Sequence, residues 1–227
     1  MKNLTPNERL FAQLRVVHDR ATRSAAANMA VDEALLQTAT QPVLRFYGWR
    51  QPARSFGYFG CFVDVAAQAP ERELVRRWTG GGIVLHGSDL TYSVILPRSA
   101  FEKLPSPQTI YRVIHGAIQQ ALGDGMDIAL AGADAPKISD ACFANAVAAD
   151  VLIEGRKIAG AAQRRTRAGL LHQGSIQNVQ LPASFPNAFA AALCVNYAET
   201  TLDPDVIRQA EMLAAQKYDT LEWLRQR

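Results

Sequence analysis

Between Leu90 and Gly123 the chain changes its hydrophobic period, and this change restricts the fold more than any other feature. Leu90 to Leu96 is a β-rich run ended by Pro97, which reads as a strand. Beyond it Ser106 can cap a helix, Pro107 suits the first helical position, and Ile110, Val113, Ile114, Ala117, Ile118 and Ala121 form one apolar stripe. Gly123 or Gly125 can close that helix through a left-handed residue. Other elements interleave around this pair. A helix is predicted from about Ala26 to Ala39, with Val31, Ala34 and Leu35 on one face and Asp32 and Glu33 toward the other. Strands are predicted over Val43–Tyr47 and Gly169–Ile176, a hairpin over Asp150–Ala161 turning at Glu154–Gly155, and a late helix opening at Asp203–Pro204. Because several strands join through tight turns, the expectation is an α+β (α/β) chain, a mixed β-sheet with packed helices, and not a doubly wound parallel sheet.

The 227 residues are ample for one domain with a real core, and the whole chain is expected to be a single unit. Apolar residues make up 48% and the net charge is only +3, which disfavours disorder and gives no signature of nucleic-acid binding. Lys2, Asn7, Glu8 and Arg9 interrupt the start, so no signal peptide is expected, and no apolar window is long enough to span a bilayer. Cys61, Cys142 and Cys194 are odd in number and widely spaced. They read as reduced thiols of a cytoplasmic protein, with neither a disulfide framework nor a metal site.

Three segments carry chemistry. In Arg76-Arg77-Trp78-Thr79-Gly80-Gly81-Gly82, followed by His86, the glycines free backbone N–H groups to approach a ligand and the arginines suit a carboxylate or phosphate. The plain alternative is a flexible hairpin with solvated arginines. In Gly155-Arg-Lys-Ile-Ala-Gly160, Lys157 can turn inward and stabilise developing negative charge, or it can lie on a wet strand face. Arg164, Arg165 and Arg167 are either ordinary surface or a docking patch for an acidic protein. In Ser139-Asp-Ala-Cys142-Phe143 the polar neighbours indicate a loop, although lone cysteines are commonly small buried hydrophobes. His172 and His86 are imidazoles that spacing does not assign: partners for a thiolate, or satisfied core histidines.

In order along the chain these segments resemble the biotin/lipoate protein ligase family, and within it the lipoate ligase and octanoyltransferase branch. The resemblance is carried by Asn28-Met-Ala-Val-Asp-Glu-Ala-Leu-Leu36, Ser55-Phe-Gly-Tyr58, Arg77–Gly82 with His86, Leu90-Thr-Tyr-Ser93, Gly155–Gly160 with Ala-Gln-Arg, and Leu171-His-Gln-Gly-Ser-Ile176. It covers roughly residues 26–178, and the stretch from Leu181 onward matches less distinctly. One departure is Gly87, where many relatives carry Asp directly after the histidine.

The resemblance implies the biotin/lipoate ligase catalytic-domain fold, class II synthetase-like, with a narrow acyl tunnel. Lys157 aligns with the lysine that contacts the acyl carbonyl or adenylate phosphate, and Asp150 with an acidic residue beside it. Arg77, Thr79 and Gly80, Gly81 and Gly82 align with the loop over the ligand; His86, Gly160 and His172 complete the implied binding set. Cys142-Phe143 matches the place where one transferase branch holds its nucleophile. The leading expectation is therefore transfer of an octanoyl or lipoyl group from acyl carrier protein to a lysine of a lipoyl domain, in 2-oxoacid dehydrogenase complexes or the glycine cleavage H protein. It would run through a Cys142 thioester without a cofactor. The alternatives are a lipoate ligase using ATP and Mg to make lipoyl-AMP, and a non-catalytic acyl-binding paralogue. Room for a core domain and little else is read as tilting toward transfer.

Overall fold

The protein is described by a computed structural model covering residues 9–66, 71–101, 104–123, 125–134 and 145–226. Eleven strands and six α-helices are present among these residues. The strands are β1 (Phe11–Arg23), β2 (Val43–Trp49), β3 (Ala53–Phe56), β4 (Glu73–Arg76), β5 (Val84–His86), β6 (Leu90–Pro97), β7 (Ile128–Leu130), β8 (Val151–Ile153), β9 (Arg156–Arg165), β10 (Gly169–Ile176) and β11 (Cys194–Thr200). The helices are α1 (Ala25–Thr38), α2 (Phe62–Ala66), α3 (Pro107–Leu122), α4 (Phe185–Leu193), α5 (Pro204–Leu213) and α6 (Leu221–Arg225), with a π-helical turn at Ala214–Tyr218. Eight strands form one sheet in the order β11-β1-β2-β6-β10-β9-β8-β7; β4-β3-β5 form a second, smaller sheet. β1 pairs in parallel with β2 and β11, and the strands from β2 through β6, β10, β9, β8 and β7 are antiparallel, so the large sheet is mixed as expected.

Local chemistry accounts for the elements the sequence signals. The Ser106 hydroxyl accepts the Thr109 N–H at 3.1 Å at the start of α3, and Gly123 ends that helix at φ 77°. Glu154 and Gly155 both take positive φ, 50° and 73°, the pairing that a two-residue hairpin needs to match strand twist. Each face of the large sheet has its own core. On one side Phe46, Tyr92 and Val94 meet Ile110 and Ile114 of α3 and Phe185 and Phe189 of α4. On the other, Val17, Val43, Ile95 and Leu171 meet α1, over which Val206 and Ala210 of α5 close.

The amphipathic reading of α1 is corrected. Its residues from Ala25 to Leu36 are buried almost without a break, because the sheet lies on one side and α5 with the π-turn on the other. Asp32 and Glu33, expected to face outward, are inside and paired. Asp32 receives the Arg45 guanidinium at 2.8 Å, and Glu33 receives Lys217 Nζ at 2.6 Å and the Tyr218 hydroxyl at 2.5 Å. Arg45 is fully buried and also contacts Asp19 at 2.8 Å and the Asn28 side-chain oxygen at 2.8 Å. No described helix is long and apolar enough to cross a membrane.

Replacing Arg45 with Ala leaves the buried Asp32 carboxylate without its cation, while Asp19 keeps only Arg23. It is expected to destabilise the fold by about 3–5 kcal/mol, read as a lower urea midpoint.

Candidate functional site

A cleft lies on the α1 side of the large sheet. Strand register makes its floor. Tyr47, Thr91, Ser175 and Gly160 stand in one row across β2, β6, β10 and β9, and Arg45, Ser93, Gln173 and Ala162 in the next. Met29 of α1 and Trp49 line the sides, and the small sheet supplies Ser55, Arg77, Val84 and His86.

The arginine–glycine segment leaves β4 and passes over this floor. Arg77 is buried and turned inward, where it donates to the loop carbonyls of Gly80 at 3.0 Å and Gly82 at 2.8 Å and to the Ser55 hydroxyl at 2.6 Å. It thus fixes the loop's own backbone, a role that spacing could not reveal. Thr79 donates its hydroxyl to Gln173 Oε1 at 2.8 Å, and Gln173 donates onward to Asp32 at 2.7 Å, which ties the loop to α1. Glycine is required here by close approach: a Cβ on Gly57 would lie 2.1 Å from the Gly81 carbonyl oxygen, and Gly81 itself holds φ 86°. Arg76, also buried, donates instead to Tyr58 O, Gly60 O and Leu224 O, so it clamps the 58–60 turn to α6.

The hairpin β8–β9 delivers the lysine. In an unbroken strand Lys157 and Gly160 would face opposite sides. A bulge between Val151 and Leu152 leaves Ile158 as the extra residue; Ile158 goes into the core while Lys157 reaches Gly160. A Cβ at Gly160 would lie 2.5 Å from Lys157 Cε and 2.7 Å from Nζ, so the missing side chain makes room for the ammonium. Lys157 Nζ sits 2.8 Å from Asp150 Oδ2 and donates to Asn145 O at 3.2 Å. Asp150 is fully buried and also accepts the Tyr111 hydroxyl at 2.5 Å and the Val147 N–H at 2.7 Å. Burial and the neighbouring Asp150 push the Tyr111 phenol far above its ordinary range, so it serves as a donor.

The two candidate histidines separate. His86 lines the cleft, stacked on Trp49 with ring centroids 4.1 Å apart. Its Nδ1 lies 2.7 Å from Asp89 and its Nε2 2.7 Å from the Ser55 hydroxyl. Asp89 accepts the Gly87 N–H at 3.0 Å as well as the hydroxyls of Thr91 and Ser175, each at 2.7 Å. Burial works against ionisation of Asp89, but the His86, Ser175 and Thr91 bonds win and hold its pKa at about 2. His172 is buried on the opposite, α3 face among Tyr92, Tyr111 and His115, with Gln163 Nε2 at 3.0 Å from its Nδ1, and does not line the cleft.

Ser139, Asp140, Cys142 and Phe143 lie outside the described residues. Cys61 is exposed, and Cys194 is buried. Arg164 packs over the rings of Tyr58 and Trp78 at 5.0 and 5.3 Å, and Arg165 donates to Pro105 O at 3.1 Å. Among the described residues no three His, Cys, Asp or Glu side chains stand together as a metal site. Sequence reasoning missed Ser55, Asp89 and Gln173 as site residues. Ser55 and Gln173 lie inside the Ser55–Tyr58 and Leu171–Ile176 motifs and Asp89 directly precedes Leu90–Ser93, but only the approach of the small sheet to the large one joins them.

The model of the lipoyl protein ligase A/B catalytic domain matches residues 24–208. The octanoyltransferase LipM of Kyrpidia tusciae is 41% identical over 170 residues, covering 67% of this chain and 62% of its own. That of Symbiobacterium thermophilum is 37% identical over 185 residues, 74% of this chain and 66% of its own, so this chain spans less than two thirds of either relative. A T. acidophilum protein described as a lipoate protein ligase, solved with bound lipoic acid, superposes with a TM-score of 0.74 over 95% of this chain and 99% of its own at 20% identity. A lipoate-protein ligase A bound with ATP gives 0.70 over 94% and 98%, also at 20% identity. These two likenesses establish the fold.

Two outcomes follow. Gly160→Ala should displace the Lys157 ammonium from Asp150 and abolish any chemistry that depends on it, with little loss of secondary structure by circular dichroism. Burial lowers the pKa of His86, His115 and His172 below 6.5, that of His115 to about 4. The unfolded chain therefore takes up these protons first, and stability should fall as pH drops from 6.5 toward 4. Urea midpoints across that window test this, and His115→Gln should flatten the slope.

Proposed function

This chain belongs to the lipoyl protein ligase A/B catalytic-domain family, and on that premise we propose that it transfers an octanoyl or lipoyl group from an acyl carrier protein thioester to the acceptor lysine of a lipoyl domain. The observation that carries this reading is the buried Lys157–Asp150 pair set against the bare backbone of Gly160 at the cleft. An ammonium held there can stabilise the oxyanion of an acyl carbonyl as charge develops. The LipM relatives at 37% and 41% identity support transfer over ligation.

In the proposed reaction Cys142, as thiolate, attacks the donor carbonyl, and the tetrahedral adduct collapses to a Cys142 thioester with loss of the donor thiol. The acceptor amine then attacks that thioester, forming the amide and returning the thiol. Lys157 is assigned the oxyanion contact in both steps; Arg77, Thr79 and the Gly80–Gly82 loop are assigned to covering the chain. Neither step consumes a cofactor, and a thiolate nucleophile fits a reducing compartment, the cytoplasm. Acceptors of the type carried by 2-oxoacid dehydrogenase complexes or the glycine cleavage H protein supply the required lysine.

Incubation with octanoyl carrier protein in the absence of ATP is expected to give an octanoyl thioester adduct by intact mass. The adduct should disappear in Cys142→Ala, and transfer should fall by about a hundred-fold or more in Lys157→Ala. No adduct, together with ATP-dependent pyrophosphate release on lipoate, would replace transfer by ligation. Acyl binding without turnover in either assay would favour a non-catalytic protein.

A further inference from the structure

We propose that Tyr111 of α3 is a positioning residue for the Lys157 ammonium: its hydroxyl fixes the Asp150 carboxylate that holds the lysine against Gly160. The consequence for catalysis rests on the acyl transfer proposed above, whereas the placement of the lysine does not. Lys157 is the second residue of β9, and a long side chain on a strand has several rotamers open to it. Holding its nitrogen at one spot requires an acceptor that is itself held. Backbone bonds fix the chain at Asp150 but leave its side chain undetermined: the Ala149 N–H donates to Ala131 O at 2.7 Å, and the Ala131 N–H donates to Asp150 O at 2.8 Å.

The two oxygens of the Asp150 carboxylate are unequally served. Oδ2 faces Lys157 Nζ at 2.8 Å and accepts the Val147 N–H at 2.7 Å. Among the described residues, Oδ1 has one hydrogen-bond donor, the Tyr111 hydroxyl at 2.5 Å. The terminal torsion of an aspartate is broad, so a carboxylate gripped at one oxygen still turns, and a grip on the second oxygen stops it. The tyrosine hydroxyl is pinned in its turn. β8 pairs with β9 only as far as Val151 opposite Ala159, and the Ala161 N–H, two residues further, donates to Tyr111 Oη at 3.0 Å. One phenol oxygen therefore accepts from the β9 backbone beside Gly160 and donates to Asp150, the two roles a protonated hydroxyl combines.

The helix is arranged to carry this contact. Tyr111 and His115 lie one turn apart, next to the Ile110 and Ile114 pair that enters the core. Their rings are 4.2 Å apart between centroids, and His115 Nδ1 lies 2.7 Å from Ala149 O, on the residue that precedes Asp150 and holds φ 68°. α3 thus grips both the backbone and the side chain of the corner that presents the carboxylate, from the side of the sheet away from the cleft. Tyr111 is not among the residues lining the cleft, so loss of its hydroxyl leaves the surface an acyl chain would meet unchanged. Its influence on chemistry passes through Asp150 and Lys157.

Tyr111→Phe keeps the ring and removes the hydroxyl, and two measurements on the full chain test the role. The first needs no turnover: hydrogen exchange of the lysine Nζ protons, followed by NMR on protein labelled with nitrogen-15 lysine, with Lys217 in its Glu33 pair as the internal standard. Exchange at Lys157 is expected to speed up about ten-fold in Tyr111→Phe and to stay unchanged at Lys217. The second is kinetic: kcat for octanoyl transfer should fall about ten-fold with KM for donor and acceptor unchanged, and Tyr111→Phe should cost nothing further in an Asp150→Asn background, because both substitutions break one contact. Unaltered exchange at Lys157, equal acceleration at Lys157 and Lys217, an unaltered kcat, or losses that add in the double variant would each overturn the role. Faster Lys157 exchange in Tyr111→Phe, together with no octanoyl transfer by the wild-type chain, would overturn the transfer reading and leave the placement of the lysine standing.

Discussion

The guanidinium of Arg45 is the contact on which the rest of the molecule depends. It lies fully buried on β2 and bonds at once to Asp19 of β1 and to Asp32 and Asn28 of α1. Two strands and one helix are thereby locked in a single relative position. A buried ion network of this sort contributes little net stability compared with an apolar core, but it tolerates few alternative arrangements. Asp32 extends the network to Ser93 and Gln173, both on the cleft floor, and Gln173 carries it to Thr79 in the glycine loop. The helix, the floor and the cover of the cleft are thus parts of one polar framework beneath an otherwise apolar layer.

Two further charge clusters use that framework differently. Lys157 and Asp150 sit at the β8–β9 end, where a bulge turns the lysine toward Gly160. Ser55, His86 and Asp89 sit nearer β2 and β6, reached through the small sheet. The row Thr91–Ser175–Gly160 runs between them, so both clusters address the same cleft from different sides. The C-terminal segment takes part at a distance. Arg76 holds Leu224 and the 58–60 turn together, and Lys217 spans Glu33 of α1 and the Trp78 ring. The cover of the cleft is therefore braced by residues far along the chain.

The elements legible in the sequence are those whose signals are local. β6, α3 and the β8–β9 turn each carry their own period, cap or paired left-handed residues. β1, β11 and α4 carried no comparable signal. β1 alternates poorly and mixes Arg15, His18, Asp19 and Arg20 among its apolar residues, because its polar positions are satisfied by Arg23, Arg45 and neighbouring strands. The polarity of Asp32 and Glu33 pointed outward for the same reason: a sequence gives the charge of a side chain and not its partner. In the candidate site, the Arg–Gly loop and Lys157 were recognisable as motifs, whereas Ser55 and Asp89 became site residues only through what they touch.

By itself the sequence determined a mixed sheet with packed helices, a glycine-rich loop beside arginines, and a lysine hairpin, since each depends on residues close in the chain. Tertiary structure decided where those pieces point. It turned Arg77 inward onto loop carbonyls, separated His86 at the cleft from His172 on the opposite face, and converted one bulge residue into the reorientation of Lys157. The physical reason is that direction in a sheet is set by register and burial. Both are settled by pairing between segments far apart in sequence, where a single inserted residue exchanges one face for the other.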